Sequence, residues 1–167
     1  MRPRRLVVHP LTRIGLDAQG QPSLILQLEV EDGFSQTVKA LGVLRVELYR
    51  PGGLASEGAG AGGAGRDTAT WSSEDRRGGG DRTAPIQVED RVWTVDLRSP
   101  DRNALLFDDL VTRTYTVPLG GLPDWLVAWW RGDSRVNAAT PTVVLTYTIV
   151  AAGEADVVLR AAYRLSR

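Results

Sequence analysis

One histidine, no cysteine and twenty carboxylates are the material from which any catalysis in this chain would be built. A Ser-His-Asp arrangement would need His9. That residue precedes Pro10 in an extended amino-terminal stretch, a rigid position for a side chain that must carry a proton. Catalytic zinc usually takes three protein ligands drawn from His, Cys and carboxylates, and one His without Cys leaves that set short. Asp96, Asp101, Asp108 and Asp109 gather around an expected connection between strands, where loop carboxylates of a sandwich can hold calcium. Their spacing lacks the regular Asp-x-Asp-x-Asp-Gly order, and Arg98, Arg102 and Arg113 stand close enough to neutralise them, which favours solvated loop charge. Any chain with twenty acids can bring two within the separation glycoside hydrolysis needs, and nothing here marks out one pair. The expectation is no metal, no cofactor and no catalytic residue.

Tryptophans are the most suggestive residues. Trp125, Trp129 and Trp130 fall at i, i+4 and i+5 in the one short segment with helical signal, Asp124 to Arg131. Beside Pro123 and Asp133 they would make an aromatic platform for a glycan or an anchor for a protein partner, or else a lid closing one end of the core. These three are the candidate binding residues. Arg131-Gly132-Asp133 matches an adhesion tripeptide, but chance explains it in a chain this rich in Arg, Gly and Asp. The glycine run at 58 to 65 neither follows a strand nor opens a helix, so it is no phosphate loop.

Twenty basic residues balance twenty acidic ones, which removes the long-range field that would concentrate nucleic acid. Nineteen of the cations are Arg, with Lys39 alone, a bias that reads as composition rather than as an anion site. No window approaches the roughly 18 apolar residues of a membrane span. Met1 to Arg5 has the charge of an export signal, but only Leu6, Val7 and Val8 follow before His9-Pro10. The chain is thus expected to be cytoplasmic, or exported with its signal lying outside this sequence.

Alternation with period two is what must position any site, and it recurs along the chain. Leu24, Leu26, Leu28 and Val30 share one face, with Gln27, Glu29 and Glu31 on the other. Leu44, Val46 and Leu48 repeat the pattern against Arg45, Glu47 and Tyr49, so Glu29 and Arg45 are expected to pair across neighbouring strands. Further strands are expected at Leu6 to His9, extending toward Leu16, at Trp93 to Leu97, Val111 to Leu119, Thr142 to Val150 and Asp156 to Leu165, the last two joined as a hairpin. Leu26, Leu28, Leu44, Val46, Trp93, Val95, Leu145, Tyr147, Leu159 and Ala161 should point into one core. The fold class is all-β, a two-sheet antiparallel sandwich of immunoglobulin-like or transthyretin-like type with about seven strands.

Residues 52–83 carry glycine runs and almost no large apolar residue besides Trp71, too little to offset their ordering entropy. They read as a flexible insertion within a single domain of residues 1–167, with Thr68 to Ser72 as a short edge strand.

Leu11-Thr12-Arg13, the turn Asp17 to Pro22, and Val38-Lys39-Ala40-Leu41-Gly42 before a strand together resemble a group of uncharacterised bacterial β-sandwich proteins of the envelope or lipid-anchored type. The resemblance covers mainly the first 50 residues. It implies a sandwich fold and an envelope location, with Trp71 on a tryptophan-bearing strand, and it carries no functional residue. This chain departs from the group in its glycine insertion and in having no lipid-attachment cysteine. The expected function is a non-catalytic binding or structural module, with a protein or glycan as partner. The alternative is a small hydrolase using carboxylates and tyrosines such as Tyr115, Tyr147 or Tyr163, or a carbohydrate-binding module.

Overall fold

The structure, a computed structural model, describes residues 2–51, 87–108, 111–133, 136, 139–150 and 155–167. The expected insertion at 52–83, with Trp71, and also Asp109, lie outside the described residues. In chain order the elements are β1 (Pro3–Val8), β2 (Arg13–Leu16), β3 (Pro22–Asp32), β4 (Gly42–Pro51), β5 (Gln87–Asp96), α1 (Pro100–Leu106), β6 (Tyr115–Leu119), α2 (Asp124–Trp130), β7 (Thr142–Ile149) and β8 (Val157–Arg164). They form two antiparallel four-stranded sheets. In one, β3 carries both β1 and β2 along one edge and β6 along the other. The second has the order β5-β4-β7-β8.

The alternation read from sequence is what packs the sheets. Leu24, Leu26, Leu28 and Val30 of β3 are fully buried, as are Leu44, Val46 and Leu48 of β4. Of the ten residues expected to share the core, eight are buried, and Trp93 and Ala161 pack against it half-covered. Each buried leucine contributes about 2 kcal/mol relative to exposure.

The expected pairing of Glu29 with Arg45 does not occur. Alternation fixes which face a residue takes but not which strand lies alongside, and the chain crosses from one sheet to the other between β3 and β4. Glu29 accepts from the Thr37 hydroxyl at 3.2 Å, while Arg45 meets Glu47 at 2.5 Å and Glu89 at 3.9 Å. The first expected strand is two strands. The chain turns at His9 to Thr12, and in the gap the Thr12 hydroxyl donates to the Gln27 carbonyl at 3.1 Å and accepts the Gln27 amide at 3.0 Å. The His9 amide also donates to that carbonyl at 2.8 Å, so it is at the Gln27 amide that the side chain stands in for backbone, and Thr12 is buried accordingly.

One polar cluster lies inside the apolar layer where the chain passes from one sheet to the other. The Asn103 amide nitrogen, from α1, donates to the carbonyls of Ala40 at 2.7 Å and Leu97 at 3.2 Å. The Tyr115 hydroxyl accepts the Ala40 amide at 3.0 Å and lies 3.0 Å from Asn103 Oδ1. Tyr147, from the other sheet, donates to the Ala40 carbonyl. Gly42, two residues on, lies so close to β7 that a Cβ there would stand 2.2 Å from the Thr148 carbonyl oxygen.

Candidate binding surface at the tryptophan end

The helix α2 closes the end of the sandwich where β6 finishes and β7 begins. Pro123 is its N-cap, and the Pro123 carbonyl accepts the amides of Leu126 and Val127. The helix stops at a left-handed glycine. Gly132 has φ +77°, its amide bonds the Trp129 carbonyl, and the Asp133 amide bonds that of Ala128, the paired closure of a Schellman motif. Arg131-Gly132-Asp133 therefore has a plain structural role as a helix terminator.

The three tryptophans divide between two tasks. Trp129 and Leu126 are buried and plug the core, and the Arg167 guanidinium lies 5.0 Å from the Trp129 ring. The Trp129 indole N–H has no acceptor among the described residues. Trp125 and Trp130 are half-buried against the core and keep part of their surface in solvent. Trp125 donates its indole N–H to the Asp90 carboxylate at 2.5 Å, and the Arg50 guanidinium lies 5.3 Å from its ring.

Asp90 reaches Trp125 because β5 bulges. Leu48 pairs with Arg91 and Tyr49 with Glu89, so Asp90 has no partner on β4 and the strand re-aims it. On the same flank the Trp93 indole donates to the Gly120 carbonyl at 2.7 Å, with the Arg91 guanidinium 5.9 Å from its ring. Gly121 takes φ +66°, a backbone conformation that L side chains rarely adopt, beside the Arg91 guanidinium. Trp93, Trp125, Arg50, Arg91 and Asp90 thus form one surface from three elements. Sequence reading found Trp125 but none of its partners as such. They lie on β4 and β5, and no local pattern announces the bulge.

On the adjoining outer face Tyr49 donates to Glu47 at 3.0 Å, and Glu47 also receives Arg45. Burial, followed by that bond, pushes the Tyr49 phenol up to about 12.

Elsewhere, among the described residues, the sequence-predicted groups do not converge. His9 accepts the Leu11 amide on Nδ1 at 3.4 Å. Asp96 is gripped by Arg98 at 2.9 and 2.6 Å, which holds its carboxyl well below the usual carboxylate range. Asp108 organises a turn, accepting the amides of Val111 and Thr112 and the Thr112 hydroxyl. Asp17 does the same for Gln19 and Gln21, which lowers its pKa. Among the described residues no three His, Cys, Asp or Glu side chains group to hold a metal ion.

No known protein family, no curated protein and no solved structure matches the chain.

Proposed function

We propose that this chain is a non-catalytic binding module that meets a protein partner through the surface of Trp93, Trp125, Arg50 and Arg91. The observation that carries the reading is preorganisation. Both indole N–H groups are already bonded to Gly120 and Asp90, and both rings have a guanidinium beside them. Little side-chain entropy remains to be lost on contact, and Trp and Arg are the residue types that dominate protein hot spots. A glycan platform is less favoured, because stacking needs an open ring face and Arg50 already approaches that of Trp125.

The hydrolase alternative finds less support in its own residues. Tyr115 and Tyr147 are fully buried with their hydroxyls engaged around Ala40, beyond the reach of a substrate. Placement in the bacterial envelope rests on the resemblance carried by the first 50 residues.

The test is site-specific photo-crosslinking in cells that express the chain, with the reactive residue placed at position 50 and, as control, at position 19. A discrete protein adduct at position 50, lost on Trp125→Ala and absent from position 19, is expected. Equal adducts at both positions, or none, would overturn the proposal.

A further inference from the structure

Among the described residues eight large apolar side chains are exposed, and six of them stand at the end of the sandwich opposite α2: Phe34, Leu41, Leu105, Val111, Val150 and Val158. Scattered single exposures are ordinary, but a concentration at one end is not. Phe34, Leu105 and Val111 are the extreme cases, 85%, 84% and 83% exposed, and they come from three different connections.

All three are held outward by the fold. Asp32 accepts the amides of Phe34 at 2.8 Å and Gln36 at 3.0 Å, building a turn with Phe34 at its tip and Ser35 at φ +58°. Asp108 does the equivalent beneath Val111, in a loop closed by the bridge between Phe107 and Tyr115. Leu105 lies two residues from Asn103 on α1, so it faces away from the side chain that anchors this helix to Ala40 and Leu97.

A groove of about 370 Å³ opens at the same end between the first residues of β1 and β8, lined by Arg2, Arg4 and Asp156 among others. It adjoins the Phe34 turn, where Gly33 lies against the Arg4 stem.

We propose that this end docks on a lipid bilayer, with Phe34, Leu105 and Val111 entering the boundary between headgroups and acyl chains while Arg4, exposed at the rim, faces the headgroups. Three prongs on separate connections would need three matched pockets in a rigid partner, whereas a bilayer boundary deforms around them. Among the described residues the other charges at this end nearly balance, with Lys39, Arg102 and Arg113 against Asp32, Asp101, Asp108 and Asp156, with Arg98 tied to Asp96 and Arg5 to Glu31. The apolar tips therefore set the affinity, and salt weakens it only modestly.

Flotation of the full chain with vesicles of phosphatidylcholine containing about one-fifth phosphatidylglycerol tests this. The unaltered chain should float with the vesicles. The triple variant F34S/L105S/V111S should bind at least about tenfold more weakly with an unchanged melting temperature, since all three side chains are already in water. The variant R4Q should keep binding to within about twofold, since the apolar tips set the affinity. Trp125→Ala should float normally, which separates this end from the tryptophan surface. The proposal is overturned if the unaltered chain stays in solution, if the triple variant floats as well as it does, or if the tips instead drive a self-association that the triple variant loses.

Discussion

Tyr115 and Tyr147 come from opposite sheets and meet over one backbone oxygen, the carbonyl of Ala40 in the crossing between β3 and β4. Their roles differ. Tyr147 donates to that oxygen, which Asn103 also serves, and its hydroxyl also engages the Asn103 and Tyr115 side chains, whereas Tyr115 is the acceptor for the Ala40 amide and the neighbour of Asn103 Oδ1. Tyr147→Phe should therefore cost about 1 kcal/mol, and Tyr115→Phe, which orphans a buried amide, about 3 kcal/mol. Urea unfolding of the two variants gives the order, and equal losses would contradict it.

Alkaline pH should destabilise the fold. Burial raises the phenols of Tyr115 and Tyr147, and Tyr49 is pushed up to about 12 by burial and then by Glu47. The folded state holds these protons more tightly than the unfolded chain does. The stability they contribute is fully present below the unfolded value of about 10 and is lost as pH rises through the folded values. Urea midpoints from about pH 9 to about pH 12 should fall steadily from about pH 10 upward. Tyr49→Phe should make the fall shallower, and a flat profile in the unaltered chain would count against the shifts.

Gly42→Ala should be among the most damaging small changes. The added methyl would strike the Thr148 carbonyl, backbone of the paired strand, and neither side can yield without breaking the β4–β7 ladder. A loss of about 3 kcal/mol is expected from such overpacking. Gly20→Ala has open space and only a positive φ against it, so about 1 kcal/mol is expected there. Thermal melts of both variants decide whether contact or conformation matters more.

Asp32 separates the value of a carboxylate from that of an acceptor. Its Oδ1 takes two amides, while its buried Oδ2 has no partner among the described residues. Asp32→Asn keeps the useful oxygen and should change stability by less than about 1 kcal/mol, whereas Asp32→Ala should cost about 2 kcal/mol. Denaturant titration of the pair measures the difference.

Strands and core were legible because burial on one face leaves a period-two trace that no other element leaves, as Leu24 to Val30 shows. Partners were not legible. Glu29 and Arg45 alternate correctly and yet belong to different sheets, since nothing in either strand says which way the crossing runs. The expected strand from Val111 begins only at Tyr115, because Asp108 draws the amides of Val111 and Thr112 into a turn and Arg113 takes φ +53°. Helix α1 leaves little periodic trace, although Ser99-Pro100-Asp101 carries start signals, with Pro in the first turn and an acid beside it. At seven residues it is too short to display a face. Of the tryptophan surface only Trp125 was visible, since Asp90 reaches it through a bulge and long-range pairing that no local pattern encodes.

Strand edges with unpaired backbone groups can recruit another chain and start fibrous growth. The sheet built on β3 resists this at both margins. On one side the break at Pro10 divides the margin into β1 and β2, with the Thr12 hydroxyl satisfying Gln27 in the gap, so no long straight template faces outward. On the other, β6 is five residues long and carries Pro118, which has no N–H to offer a newcomer. Repairing the break with a continuous strand would tidy the ladder and expose the protein to edge-to-edge polymerisation.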